Sequence, residues 1–138
     1  MPPQVFSHTH RVTYAECTMG DHVYYSRYLD ILEAARGEFF RHNGITFQQL
    51  HDAGTLFPVI DVQVRYKGAA RYDDLLRVEV WISELRRVQI TFGYRVLNQR
   101  DELLIEASTA HACTSTSDKL QRVPDQIRAM AANGSETL

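Results

Sequence analysis

The chain has 138 residues and a formal charge of −2, with 15 basic and 17 acidic residues evenly mixed. That length fits one domain with a core of its own, spanning residues 1–138, and the mixed charge gives none of the broad basic field that a nucleic-acid backbone requires. No apolar run approaches the roughly 20 residues needed to cross a bilayer. Residues 1–7 have neither a basic start nor an apolar stretch for export, and Cys17 and Cys113 lie far apart, so a reducing, cytoplasmic setting is expected.

After a loose start at residues 1–3, Phe6, His8, His10, Val12 and Tyr14 alternate with polar residues at period two, which predicts a first strand. Gly20 punctuates the polar loop that follows. From about Tyr24 to about His42 the period changes: Tyr24, Tyr28, Ile31, Leu32, Ala35 and Phe39 share one face of a long helix, and Asn43-Gly44 stops it. A short helical piece is expected at residues 46–52, broken by Gly54. Strands follow, with Ile60, Val62, Val64 and Tyr66 alternating in one, Leu76, Val78, Val80 and Ile82 in the next, and Val88 to Val96 in a fourth. The fifth runs over residues 103–114 with Thr109, His111 and Cys113 on one face and small Ser108, Ala110 and Ala112 on the other. Pro124 opens a short helix through Met130, and residues 132–138 read as a frayed tail.

One helix cannot cover both faces of five strands, so the sheet is expected to wrap the helix on one side and to relieve its remaining apolar surface against a second subunit. The junction of loop and helix draws attention as a site. There Thr18, Asp21 and His22 sit beside backbone N–H groups that a first helical turn cannot satisfy internally. His8 and His10 face the same way on a strand, but a third metal ligand is not evident, since His111 joins them only through an unproven contact; no metal and no cofactor is expected.

Several ordered pieces resemble one family. They are the run from Arg11 to Glu16, His22-Val23-Tyr24 with Tyr28, the run from Leu32 to Arg36, Val64-Arg65-Tyr66 followed by the run from Ala70 to Asp74, and Asp118-Lys119 before Arg122-Val123-Pro124. Together they resemble the hotdog-fold acyl-CoA thioesterases of the 4-hydroxybenzoyl-CoA thioesterase-like group, which includes the Tol–Pal-associated bacterial enzymes. The resemblance implies an α+β hotdog fold, with an antiparallel five-stranded sheet wrapped around one long helix. It implies a homodimer or homotetramer whose site is shared between subunits, and hydrolysis of acyl-CoA or another pantetheine thioester. In the family, an aspartate before the helix acts as nucleophile or base, and that position falls on Thr18; a histidine common near the helix start falls on Tyr25.

Thioester hydrolysis needs an activated nucleophile and donors for the developing oxyanion. Free N–H groups over residues 23–26 are expected to be the donors. Asp21 is the first candidate base, with helix N-capping as its ordinary alternative, and Glu16 is the second. His22, Thr18 and Tyr25 are candidate orienting groups, Tyr24 a substrate contact, and Tyr28 core. Lys67, Arg71, Lys119 and Arg122 are candidates for the phosphates of coenzyme A. Glu33 is read as an interface or solvated residue, and Cys17 as buried rather than nucleophilic. An acyl-carrier-protein thioesterase and a non-catalytic acyl-CoA-binding or assembly protein are the competing readings, and a dehydratase is weaker still.

Overall fold

The computed structural model describes residues 4–132, so the loose start and all but the first residue of the tail lie outside the described residues. Strand β1 (Phe6–Arg11) half-buries Phe6, His8 and His10 and exposes Ser7, Thr9 and Arg11, as its alternation dictates. It ends earlier than the period predicts. Val12 instead exchanges backbone hydrogen bonds with the 73–74 segment, its N–H donating to Asp74 C=O at 2.9 Å and its C=O accepting from Asp73 N–H at 3.1 Å. A 3-10 turn at Tyr14–Glu16 follows, and Tyr14 is 81% exposed rather than part of a strand face.

Two short strands, β2 (Cys17–Thr18) and β3 (His22–Val23), then form a small hairpin. The main helix α1 (Arg27–His42) starts later than expected. Val23 N–H donates to Ala70 C=O and Tyr24 N–H to Glu16 C=O, each at 2.9 Å, which holds residues 22–24 extended. Tyr24 therefore leaves the helical stripe and is exposed. The buried face is Tyr28, Ile31, Leu32, Ala35, Phe39 and also Phe40, whose ring packs edge-on against Phe47 at 5.2 Å and Phe92 at 5.7 Å. The stop is as read: Asn43 Nδ2 donates to Phe39 C=O at 2.9 Å, and Gly44 takes φ +85°. Thr46 then caps α2 (Phe47–Asp52) by a reciprocal pair, Gln49 N–H to Thr46 Oγ1 at 3.1 Å and Thr46 N–H to Gln49 Oε1 at 2.8 Å.

The remaining strands are β4 (Val59–Tyr66), β5 (Leu75–Leu85), β6 (Gln89–Leu97) and β7 (Leu103–Ala112). With β1 they make a five-stranded antiparallel sheet in the order β1-β5-β6-β7-β4. The inward residues Leu76, Val78, Val80 and Ile82 of β5 and Ile90, Phe92, Tyr94 and Val96 of β6 meet the α1 stripe in one core. Short α3 (Asp125–Ala132) closes one end with buried Ile127 and Met130. On the outer face of the sheet, Trp81 lies across Gly93, where an added Cβ would come within 2.6 Å of the indole.

Strand β4 departs from expectation. Its alternation is present in the sequence, yet in the single chain both its faces are largely exposed, with Ile60 56%, Val62 42% and Tyr66 49% accessible. As the edge strand beside β7 it lies across the sheet from β1 and β5, against which α1 chiefly packs, and it meets the helix near its start, where the Tyr66 ring lies edge-on to Tyr28 at 5.7 Å.

Candidate active site

The hairpin before α1 is built from local hydrogen bonds. Thr13 N–H donates to Glu16 Oε1 at 2.8 Å, and His10 Nε2 lies 2.9 Å from both Glu16 oxygens. Burial pushes the Glu16 carboxyl up, but the Thr13 N–H and the His10 ring outweigh it and leave its pKa below the ordinary carboxylate value. The sequence did not mark His10 for this role.

Asp21 sits in the hairpin turn at φ +65°, exposed, its N–H on Thr18 C=O at 3.2 Å and its Oδ1 accepting from Tyr72 N–H at 3.3 Å. It does not cap the helix, because Ser26 occupies the N-cap. Thr18 and Asp21 line one concavity of about 380 Å³ together with Tyr14, Cys17, Met19 and Gly20. His22 pairs with Thr18 across the hairpin and bridges to Arg71. Cys17 is half-buried, and burial followed by the nearby carboxylates raises its thiol pKa, which disfavours the thiolate.

The donor set at the helix start is narrower than the sequence reading. Val23 and Tyr24 N–H groups are committed to Ala70 and Glu16, whereas those of Tyr25 and Ser26 have no protein acceptor among the described residues. Tyr66 Oη donates to Tyr25 C=O at 3.1 Å. The carbonyl of Tyr25 and the N–H of Ser26 belong to one planar peptide, so this bond from the edge strand fixes where the Ser26 N–H points. Tyr25 and Tyr24 both project outward, their rings 4.7 Å apart. Tyr28 is core, and its hydroxyl accepts from Ala70 N–H at 2.9 Å.

The four basic candidates are not gathered together. Arg71 stands at the hairpin through its bridge to His22. Lys67 is paired with Glu106 at 2.9 Å and Arg122 with Asp125 at 2.7 Å. Lys119 and Arg122 belong to the segment after β7 that pairs with Thr114, beside Leu56 rather than the hairpin. The histidines are likewise separated, since β5 and β6 lie between His10 on β1 and His111 on β7.

A second polar constellation is buried under the helix. Arg36 Nη1 donates to Tyr94 Oη at 3.0 Å, Tyr94 Oη lies 2.6 Å from Thr109 Oγ1, Thr109 Oγ1 lies 2.8 Å from His111 Nε2, and His111 Nδ1 lies 3.0 Å from Phe57 C=O. A guanidinium only donates and a carbonyl only accepts, so the assignment that satisfies every member runs one way, from Arg36 through the two hydroxyls to His111, whose proton is placed on Nδ1. Burial, then the Arg36 charge, push the His111 pKa down to about 4, so the ring is neutral.

A five-stranded antiparallel sheet wrapped on one long helix, with a polar hairpin and free N–H groups at the helix start, defines a hotdog-fold protein of the thioesterase class. The sequence profile of the thioesterase superfamily matches residues 20–105. The acyl-CoA thioesterase YbgC of Haemophilus influenzae is 34% identical over 127 residues, covering 90% of this chain and 92% of its own length. Among solved structures, a protein of Aquifex aeolicus superposes with TM-score 0.86 at 28% identity, covering 91% of this chain and 98% of its own. The 1,4-dihydroxy-2-naphthoyl-CoA thioesterase of Synechocystis, at 17% identity, shares the fold with TM-score 0.88 over 94% of this chain and 97% of its own. The chain belongs to the thioesterase superfamily.

Proposed function

We propose that the protein hydrolyses acyl-CoA thioesters to the free acid and coenzyme A at the hairpin before α1, with two copies joined along β4. The observation that carries the site assignment is the pair of N–H groups at Tyr25 and Ser26, unpartnered among the described residues, which directly follow Tyr24, the residue whose N–H ties the helix start to Glu16 at the base of the Thr18–Asp21 hairpin. Donors of this kind hold the oxygen that turns negative in the tetrahedral intermediate, and one well-placed donor lowers the barrier by roughly 3 kcal/mol.

Asp21 is the base in this reading. It is exposed and carries one long hydrogen bond, whereas Glu16 is engaged by His10 and Thr13. Water attacks the acyl carbon and gives its proton to Asp21; the intermediate collapses with cleavage of the C–S bond, and the proton passes to the departing thiolate. His22, Thr18 and Tyr25 order the loop and the substrate, Tyr24 offers its ring to the pantetheine arm, and Arg71 is the basic residue placed to meet phosphate. Glu16 serves through His10 as support for the turn.

The surface for a second subunit is β4, whose outer edge carries unpaired backbone groups and exposed Val59, Ile60, Val62 and Tyr66. Antiparallel pairing of two such edges buries that surface and continues the sheet. Because Tyr66 also holds Tyr25, the partner's edge would lie next to the oxyanion site. No helix among the described residues is long and apolar enough to cross a membrane, and cytoplasmic action is part of the proposal.

A non-catalytic acyl-CoA-binding role is favoured by the family resemblance of the sequence, which implies a carboxylate at the position that Thr18 occupies. Thiol release from a panel of acyl-CoA and acyl-carrier-protein thioesters tests both readings. Asp21→Asn is expected to lower the rate at least ~100-fold, as loss of a general base does. An unchanged rate rejects Asp21, and tight acyl-CoA binding without turnover favours the binder.

A further inference from the structure

Some distance along α1 from the hairpin, a cavity of about 270 Å³ opens between α1, α2 and β6. Its walls include Phe40, Phe47, Phe57 and Phe92, and its only charged lining residues among those described are Glu33 and Arg36. The two charges are not equivalent. Glu33 is exposed at the mouth, while Arg36 is half-buried, its guanidinium carbon 5.9 Å from the centroids of both Phe47 and Phe92.

Arg36 makes no ion pair among the described residues, and its one hydrogen bond is to the neutral phenol of Tyr94. A guanidinium carries five N–H donors in a rigid fork that matches a carboxylate, so most of that capacity faces an aromatic cavity. The chain through Thr109 and His111 runs back to the Phe57 carbonyl, which fixes Tyr94 and through it the angle of the fork. His111, whether neutral or protonated, carries no negative charge to pair with Arg36. A half-buried guanidinium that is held by Tyr94, walled by apolar rings and engaged in no ion pair among the described residues offers a matched seat to an anion with an apolar body.

We propose that this cavity binds a small apolar carboxylate, its body against the phenylalanine rings and its two oxygens on the Arg36 fork. A cavity of about 270 Å³ lies just below the size range of pockets for drug-sized ligands and suits a small aromatic acid such as benzoate. Two sources supply such a group: the free acid released by hydrolysis, an origin that rests on the proposed function, or the far carboxylate of a dicarboxylic acyl group still joined to coenzyme A.

The test begins with ligand-detected nuclear magnetic resonance on the full chain, titrating benzoate and, as its uncharged counterpart, benzyl alcohol. Benzoate is expected to bind at least ~10-fold more tightly than benzyl alcohol, to lose ~10-fold or more in Arg36→Gln, and to bind Glu33→Gln as well as or better than the native chain. Equal binding of the two probes, no binding of either, or unchanged affinity in Arg36→Gln overturns the proposal. Should Arg36→Gln not fold, Arg36→Lys keeps the charge without the fork, and the two-probe comparison on the native chain still decides. Neither titration requires turnover, so an inactive protein that binds benzoate refutes the catalytic reading alone. Rates with adipoyl-CoA and hexanoyl-CoA separate the sources: an Arg36-dependent preference for adipoyl-CoA assigns the acyl tail, and competitive inhibition by benzoate without that preference assigns the product acid.

Discussion

The phenol of Tyr66 donates to the backbone carbonyl of Tyr25 at 3.1 Å, tying the exposed edge strand to the peptide that starts the long helix. Tyr66→Phe removes this bond and little else. A single neutral hydrogen bond contributes about 0.5–1.5 kcal/mol, so kcat on an acyl-CoA substrate is expected to fall ~3- to 10-fold with KM nearly constant. A rise in KM at constant kcat would show that Tyr66 acts on substrate binding instead.

The same strand predicts an assembly phenotype. Val62 is exposed at mid-strand, and Val62→Lys places a charge where a second edge would pair. Sedimentation velocity is expected to show a dimer for the native chain and a monomer for the variant. Activity of the variant should fall with the loss of the dimer; a fully active monomer would show that one chain holds a complete site.

Acid stability should show two windows. His111 has a folded pKa of about 4 against an ordinary 6.5, so between those values the unfolded chain binds more protons and stability is lost as the pH falls from 6.5 toward 4. Glu16 is also depressed, from 4.5, so its contribution is present above that value and is lost on further acidification through its folded pKa. Thermal melts from pH 7 to 3 are expected to narrow the first window in His111→Gln and the second in Glu16→Gln, with His8 and the depressed carboxyls of Glu102, Glu106 and Asp125 supplying what remains.

Gly93 has no room for a side chain under Trp81. Gly93→Ala is expected to destabilise the fold by about 1–3 kcal/mol in urea titrations, as overpacking does. Pairing it with Trp81→Leu should recover most of the loss, and failure to recover would mean that backbone strain, not the indole, sets the cost.

Most of the fold was legible because the chain's periods are clean. The alternation in residues 76–82 and 90–96 and the three- and four-residue steps from Tyr28 to Phe39 each have one geometric solution. What the periods missed lies where non-local hydrogen bonds override them. Tyr14 and Tyr24 stand in phase with a strand and a helix, yet the bonds of Val12 to the 73–74 segment and of Val23 to Ala70 turn the backbone away. At the candidate site, Thr18, Asp21 and His22 are legible as neighbours because they lie within five consecutive residues of one polar loop, whereas the hairpin that pairs Thr18 with His22 is not. The pairing of His10 with Glu16 and the line from Arg36 to Phe57 join residues distant in sequence or on different elements, and no local pattern announces such pairs.

The one-way run of donors beneath the helix also constrains how this protein can change. Each hydroxyl between Arg36 and His111 both gives and receives, so replacing Tyr94 or Thr109 alone strands a neighbour on each side, at about 1–3 kcal/mol for each buried group left unmet. Intermediate sequences are thus penalised while a coordinated exchange of the whole set is not. Drift through this part of the interior is expected to proceed in blocks, and any engineered repacking of the cavity should redesign the four side chains as a single unit.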